Sequence, residues 1–206
     1  MSEFTLIEPG SDRLAAAIDD LAEARRQVEA ASLDGAVQQD ARRNVLAFCD
    51  QHPNSLHRSS STGHLTGSAV VVDPTTERTL LIHHAKLDRW LQPGGHADGD
   101  GNLGGVALRE ATEETGLVGL RLVSPAVDID IHTIPARPSE PEHVHLDVRS
   151  VVLVGDSVAA RPNEETLGAK WFAVDDPEVA ASVELTNLVR RGLWVAAMVV
   201  NGRSNP

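Results

Sequence analysis

Apolar residues recur at helical spacing twice near the start of the chain. Over residues 11–31, Leu14, Ala17, Ile18, Leu21 and Val28 share a face, with Asp and Arg between them; over 34–50, Val37, Ala41, Val45, Leu46 and Phe48 repeat the pattern. Recurrence every three or four positions predicts two amphipathic helices, read here as an N-terminal arm. From His52 to Gly67 the chain is rich in Ser, His, Gly and Thr, with Pro53 near the start, and this stretch reads as a connector.

Beyond Gly67 the period shortens. Ala69–Val72 and Thr79–His83 are short β-rich runs separated by the turn-forming Asp73-Pro74-Thr75-Thr76. A glycine-rich loop, Pro93–Gly105, leads into a helix over 106–115, which Gly116 ends by supplying the left-handed residue of a helix C-terminus. Strands follow at 118–133 and 144–154, divided by the proline-rich loop Ile134–Pro141, then a strand at 169–174 and a closing helix at 185–200. Strands around a central helix, with another helix at the end, predict an α/β fold in which a mixed sheet lies between helices. Residues 1–62 are read as the helical arm and connector, and 63–206 as the main domain.

Composition narrows the function. Of the 206 residues, 41% are hydrophobic and 23% charged, ordinary values for a globular protein. The net charge of −12 argues against a nucleic-acid polymer as partner, because such binders cluster Lys and Arg. A small phosphorylated substrate is compatible with that charge if a bound cation offsets the repulsion. The single cysteine, Cys49, cannot form an internal disulfide, and the N-terminus lacks the basic and apolar regions of a signal peptide, so a reducing cytoplasm is the expected compartment. The longest apolar run, Leu193–Val200, is far below the ~20 residues of a spanning helix, and no membrane partner is expected. The arm has two places to dock: its own domain, or a second copy in a homodimer.

The chemistry concentrates in Gly94-Gly95-His96-Ala97-Asp98-Gly99-Asp100-Gly101-Asn102-Leu103, followed by Leu108-Arg109-Glu110-Ala111-Thr112-Glu113-Glu114-Thr115-Gly116-Leu117. Glu110 and Glu114 are one helical turn apart and lie on one face, with Glu113 beside them. Close like charges destabilise a helix unless a positive charge sits among them, and a hard divalent cation such as Mg²⁺ prefers such oxygen ligands. Taken alone, an Arg-Glu-x-x-Glu-Glu face is equally a solvated acidic surface. The glycine loop before it changes the balance.

The stretch from Gly95 to Leu117 resembles the signature of the Nudix hydrolases: Gly, five residues, Glu, seven residues, then Arg-Glu-apolar-x-Glu-Glu-x-Gly-apolar. Trp90-Leu91-Gln92-Pro93 before the double glycine and Trp171-Phe172 after the acidic Glu164-Glu165 fit the same family. The arm lies outside the resemblance. One position departs from the signature, Gly101 standing where the family's first glutamate pairs with the box arginine; Asp100 is the candidate substitute. The resemblance implies a Nudix-type α/β/α sandwich and a Mg²⁺-dependent hydrolase, Mn²⁺ substituting, that cuts a small diphosphate-containing substrate. It implies Glu110 and Glu114 as principal metal ligands, helped by a backbone carbonyl at Gly94 or Gly95. Glu113 is a further ligand or the base, with Glu164 and Glu165 as alternative bases and Arg109 as the brace of the loop. The rival reading is a catalytically weak or silent Nudix-like nucleotide-binding or regulatory domain, which Gly101 alone favours within the box.

Other residues carry weaker signals. His96, inside the glycine loop, is a candidate phosphate contact, and Trp90 a candidate stacking surface for a base, though equally a core-edge tryptophan. His143, His145 and Asp147 alternate and so share a strand face, which suggests either a polar face, a cleft wall or a zinc site, although one strand rarely supplies a whole site. Cys49 reads as a small buried side chain.

Overall fold

The computed structural model describes residues 4–85, 88–138, 140–155 and 166–202. The strands are β1 (Thr5–Ile7), β2 (Gly63–Asp73), β3 (Arg78–His84), β4 (Arg89–Leu91), β5 (Gly94–His96), β6 (Arg121–Ile134), β7 (His143–Leu153) and β8 (Thr166–Phe172). The helices are α1 (Leu21–Ala30), α2 (Gly35–Gln51), α3 (Leu103–Thr115), α4 (Pro177–Ala180) and α5 (Val183–Asn201). None of the described helices is long and apolar enough to cross a membrane.

β2 organises the sheet. Its residues are buried from Gly63 to Val72, because both faces of the strand are covered. The strands run β1-β6-β7-β2-β3-β4, with β5 also on β2 and β8 on β3; β2 pairs β7 in parallel and β3 and β5 antiparallel. Side chains alternate between faces. Leu65 packs with Leu103 of α3 and with Val28, Val45 and Cys49 of α1 and α2, while Ala69 and Val71 pack against Ala107 and Ala111. On the opposite face, Val70 and Val72 meet Leu188, Val195 and Ala196 of α5. Each fully buried leucine contributes roughly 1.5–3 kcal/mol through burial of apolar surface. Gly192 permits the close approach of α5, since a Cβ there would lie 2.5 Å from a methyl of Val70. The result is the expected mixed sheet between helical layers.

The arm differs from its predicted form. A helix over 11–31 was expected, but residues 12–14 form one 3-10 turn and the α-helix starts only at Leu21. Between them the main chain is spent elsewhere: Asp19 N–H donates to the Gly99 carbonyl at 2.7 Å, and Gly101 N–H to that of Ala17 at 2.8 Å. Asp20 then caps α1 by accepting from Glu23 N–H. β1, which has too few residues to show a period, adds to the sheet edge on β6. The arm therefore shares the core of its own domain.

Two loop boundaries also shift. Part of the glycine loop becomes β5, because Gly94 can lie against Ser68, whose Cα is 2.8 Å from where a Cβ would stand. α3 starts at Leu103, ahead of the predicted 106, because Asn102 caps it by accepting from Gly105 N–H. Its end is as predicted, with Gly116 at φ 67°.

Candidate active site

β5 and α3 bring the double glycine against the glutamate face. A Cβ on Gly95 would sit 2.5 Å from Oε2 and 2.6 Å from Cδ of Glu110, so only glycine lets that carboxylate lie on the turn. Gly94 N–H donates to Glu114 Oε2 at 2.9 Å. Glu114 is buried, Glu110 half-buried and Glu113 exposed. Burial pushes the Glu110 carboxyl above its usual range; the neighbouring Arg109 opposes this, and Glu113 adds to it. Arg109 Nη2 donates to Glu110 Oε1 at 3.1 Å and to the His96 carbonyl at 3.4 Å, and its Nη1 lies 3.7 Å from Asp100 Oδ2. Carboxylates from one helix turn thus converge on a bare glycine main chain with one guanidinium beside them. Such a set has the character of a hard-cation site.

A sequence model of the NUDIX domain matches residues 63–190. The chain belongs to the Nudix family. It is therefore a hydrolase acting on acid anhydrides, of a family whose members generally use divalent metal ions. A crystal structure of a Caenorhabditis elegans Ap4A hydrolase in a binary complex shares the fold at TM-score 0.53 and 17% identity, over 65% of this chain and 97% of that one. A Nudix-family hydrolase from Clostridium perfringens (TM-score 0.46, 23% identity, 66% of this chain and 97% of that one) and the Escherichia coli dihydroneopterin triphosphate pyrophosphohydrolase (TM-score 0.46, 17% identity, 66% and 95%) are also similar.

The one departure from the Nudix signature has a physical cause. The arm crosses the glycine loop at an Ile18–Asp100 bridge, and the Asp20 carbonyl occupies the place a Gly101 side chain would need. Gly101 is not at positive φ, so close approach and not backbone conformation requires the glycine. Asp100, buried, accepts from the N–H groups of Ala17 and Asn102 at 2.9 Å each while facing Arg109.

Beside the box, on the α5 face of the sheet, lies an open cleft of about 870 Å³ lined by Trp90, Gln92, Asp130, His132, Arg149 and Glu184 among others. Trp90 lines this cleft and packs on His83 and Phe172, with ring centroids 5.0 Å apart in each case. Arg149 is the buried hub of the cleft floor. It donates to Asp147, Asp130 and Glu184 at 2.9 Å and to Asp128 at 3.2 Å. Burial opposes its charge, yet Asp147, Asp130 and Asp128 together hold its pKa above the ordinary arginine value. The alternation Asp128-x-Asp130-x-His132 was the sequence signal for this floor, and the sequence reading passed over it.

His143, His145 and Asp147 do share the predicted strand face, but they are not one ligand set. Asp147 accepts from Thr66 at 2.9 Å, Ser68 at 2.7 Å and Arg149, and His143 Nδ1 lies 2.9 Å from the Pro141 carbonyl. His96 turns its ring toward His64 and His145, with centroids 4.8 and 5.1 Å away. His64 lies in the stretch predicted to be a connector; its alternation with Thr66 and Ser68 ahead of Val70 and Val72 would have marked it as a strand residue on the polar face. Burial, helped by neighbouring imidazoles, lowers the pKa of His64 to about 4 and of His145 to about 3. Glu164 and Glu165 lie outside the described residues.

Proposed function

We propose that the chain is a Mg²⁺-dependent pyrophosphohydrolase, with Mn²⁺ able to substitute, that cleaves the phosphoanhydride bond of a nucleoside diphosphate linked to another moiety. The observation that carries this reading is the Glu110 carboxylate lying on the bare Gly95 main chain with Glu114 tied to Gly94 N–H. Glu110 and Glu114 would hold the ion together with the Gly95 carbonyl, with Glu113 as a further ligand or as the base. A divalent ion there supplies positive charge for the diphosphate and lowers the pKa of water. The donor set fits such an ion: all oxygen, like-charged, and with a half-buried carboxylate whose only described cationic hydrogen-bond partner is Arg109.

The chain's own residues supply the rest. Arg109 spans Glu110, the His96 carbonyl and Asp100, and so holds the glycine turn against the helix. Glu113, exposed beside the two more buried glutamates, is the described carboxylate free to take a proton from an attacking water, with Glu164 and Glu165 as the other candidates. Trp90 offers an aromatic wall for a base, and Arg89 and Arg137, also lining the cleft, offer charge for phosphate oxygens. The silent-domain reading loses its one support, because the arm accounts for Gly101 and Asp100 faces the arginine in its place.

The test is a screen over a library of nucleoside diphosphate derivatives, in Mg²⁺, after chelator treatment, coupled to a phosphatase that releases phosphate from the monoester products. Turnover that depends on Mg²⁺ and is selective for one class supports the reading. Full turnover in excess chelator, or none on any phosphoanhydride, would overturn it.

A further inference from the structure

A second cluster stands apart from the glutamates, on strands rather than on a helix. His64 of β2 and His145 of β7 are direct register partners, and His96 of β5 pairs in register with Thr66, so three strands deliver three imidazoles to one end of the sheet. One ring nitrogen from each lies within 4.8 Å of the others. The ring centroids of His64 are 4.8 Å from those of both His96 and His145.

The burial of these rings calls for a partner that the protein does not provide. His64 is 1% exposed. Neither of its ring nitrogens, nor Nε2 of His145, makes a hydrogen bond of normal geometry, although the main chain of Ser60 approaches His64. Buried polar atoms are ordinarily satisfied, and three such atoms at one point mark a missing ligand. The surrounding histidines are engaged elsewhere: His143 with Pro141, and His132 with Asp130 at 2.7 Å.

We propose that His64, His96 and His145 bind a divalent transition-metal ion of the zinc class, separate from the glutamate site. Three imidazoles suit a borderline ion such as Zn²⁺, Co²⁺ or Ni²⁺ and not Mg²⁺, which demands oxygen. Tetrahedral zinc at about 2.0–2.1 Å from each nitrogen needs the nitrogens roughly 3.3 Å apart, a change within reach of small ring rotations. The rings are kept neutral by burial, with their lone pairs available for metal. Three protein ligands leave a fourth position for water or a phosphate oxygen. The ion ties β5 to β2 and β7. Because His96 follows Gly95 and its carbonyl accepts from Arg109, the site also positions the glycine turn against which the Glu110 carboxylate lies.

The full-length protein, stripped of metal, is titrated with Zn²⁺ against a chromophoric chelator and with Co²⁺ followed by visible absorption. The expected result is one equivalent of Zn²⁺, nitrogen-ligated Co²⁺ bands and, with the glutamate site removed in Glu110→Gln/Glu114→Gln, a thermal shift with Zn²⁺ that Mg²⁺ does not produce. The double variant Glu110→Gln/Glu114→Gln should keep that equivalent, whereas His64→Leu, His145→Leu and His96→Gln should each weaken it by about 10²-fold or more, His96 and His145 being only half-buried. Absence of stoichiometric zinc in the unaltered protein would overturn the proposal and leave a cluster of hydrated imidazoles only. So would undiminished binding in folded His96→Gln, or loss of zinc in the glutamate variant. None of these readouts depends on hydrolysis, so failure here and failure of the Mg²⁺-dependent reading are distinguishable.

Discussion

The main-chain carbonyl of Asp20 fills the space in which a Gly101 side chain would stand; the Asp20 carbonyl carbon is 2.9 Å, and the Ala17 oxygen 3.2 Å, from that Cβ position. Restoring the glutamate usual to the family at this position should therefore push the arm away and not repair the box. Gly101→Glu is expected to cost about 1–3 kcal/mol of stability, as overpacking of a tight contact does, and to leave turnover unchanged or lower. Urea unfolding with a parallel assay checks it. Higher activity at undiminished stability would show that the arm yields easily.

Asp100 and Arg109 should be coupled. The Asp100 side chain is 9% exposed and faces Arg109 at 3.7 Å, while the arginine is 39% exposed. A partly screened pair of this kind is worth about 0.5–1 kcal/mol, to be read from a double-mutant cycle of Asp100→Asn and Arg109→Met in both stability and turnover. Strictly additive losses would remove Asp100 as the substitute for the missing glutamate. Asp98→Ala is a useful control, because Asp98 is held by Arg58 and not by the box arginine.

Charge at Glu110 and Glu114 should matter more than shape. Glu114→Gln keeps an oxygen able to accept from Gly94 N–H, so the turn should persist. Each Gln variant is expected to lose on the order of 10²-fold or more in kcat, several kcal/mol of transition-state stabilisation, with thermal stability retained or raised. Steady-state kinetics with a melting curve for each variant checks both halves. Near-normal kcat in the two variants would move the chemistry away from the box.

Arg149 is the largest single electrostatic commitment of the cleft floor. It is 4% exposed and serves four carboxylates, three of them on the same polar sheet face. Truncating it leaves Asp147, Asp128 and Asp130 together without their cation. Arg149→Ala should then lower stability by about 3–5 kcal/mol, the range for breaking a buried ion pair from one side. Chemical denaturation with an unchanged m-value checks this, and a loss below about 1 kcal/mol would show that water replaces the guanidinium.

Local signals were legible directly. The box spacing identified the family, the i, i+4 relation of Glu110 and Glu114 placed both on one face, and Gly116 ended α3 at positive φ as its lack of a side chain allows. The second half of β2, the strands β3, β6 and β7 and the closing helix followed from hydrophobic period, whereas Gly63–Ser68 of β2 was read as connector because its polar residues hide the strand. β1, β4 and β5, three residues each, are too short for any period to show, and only pairing with a neighbour makes them strands.

Tertiary structure alone decided what met what. By itself the sequence determined the family, the glutamate face and the departure at Gly101, since each is written in residues close together along the chain. That the departure makes room for Asp20 depends on the arm crossing the glycine loop at Ile18–Asp100. That His64 and not Asp147 joins His96 and His145, and that Arg149 gathers Asp128, Asp130 and Asp147, depend on the register of β2 with β5 and β7 and of β6 with β7. Register is set by which face of each strand the whole core buries. A slip of one residue in these strands would turn the histidines and the aspartates to the opposite face, so no local window of sequence contains the answer.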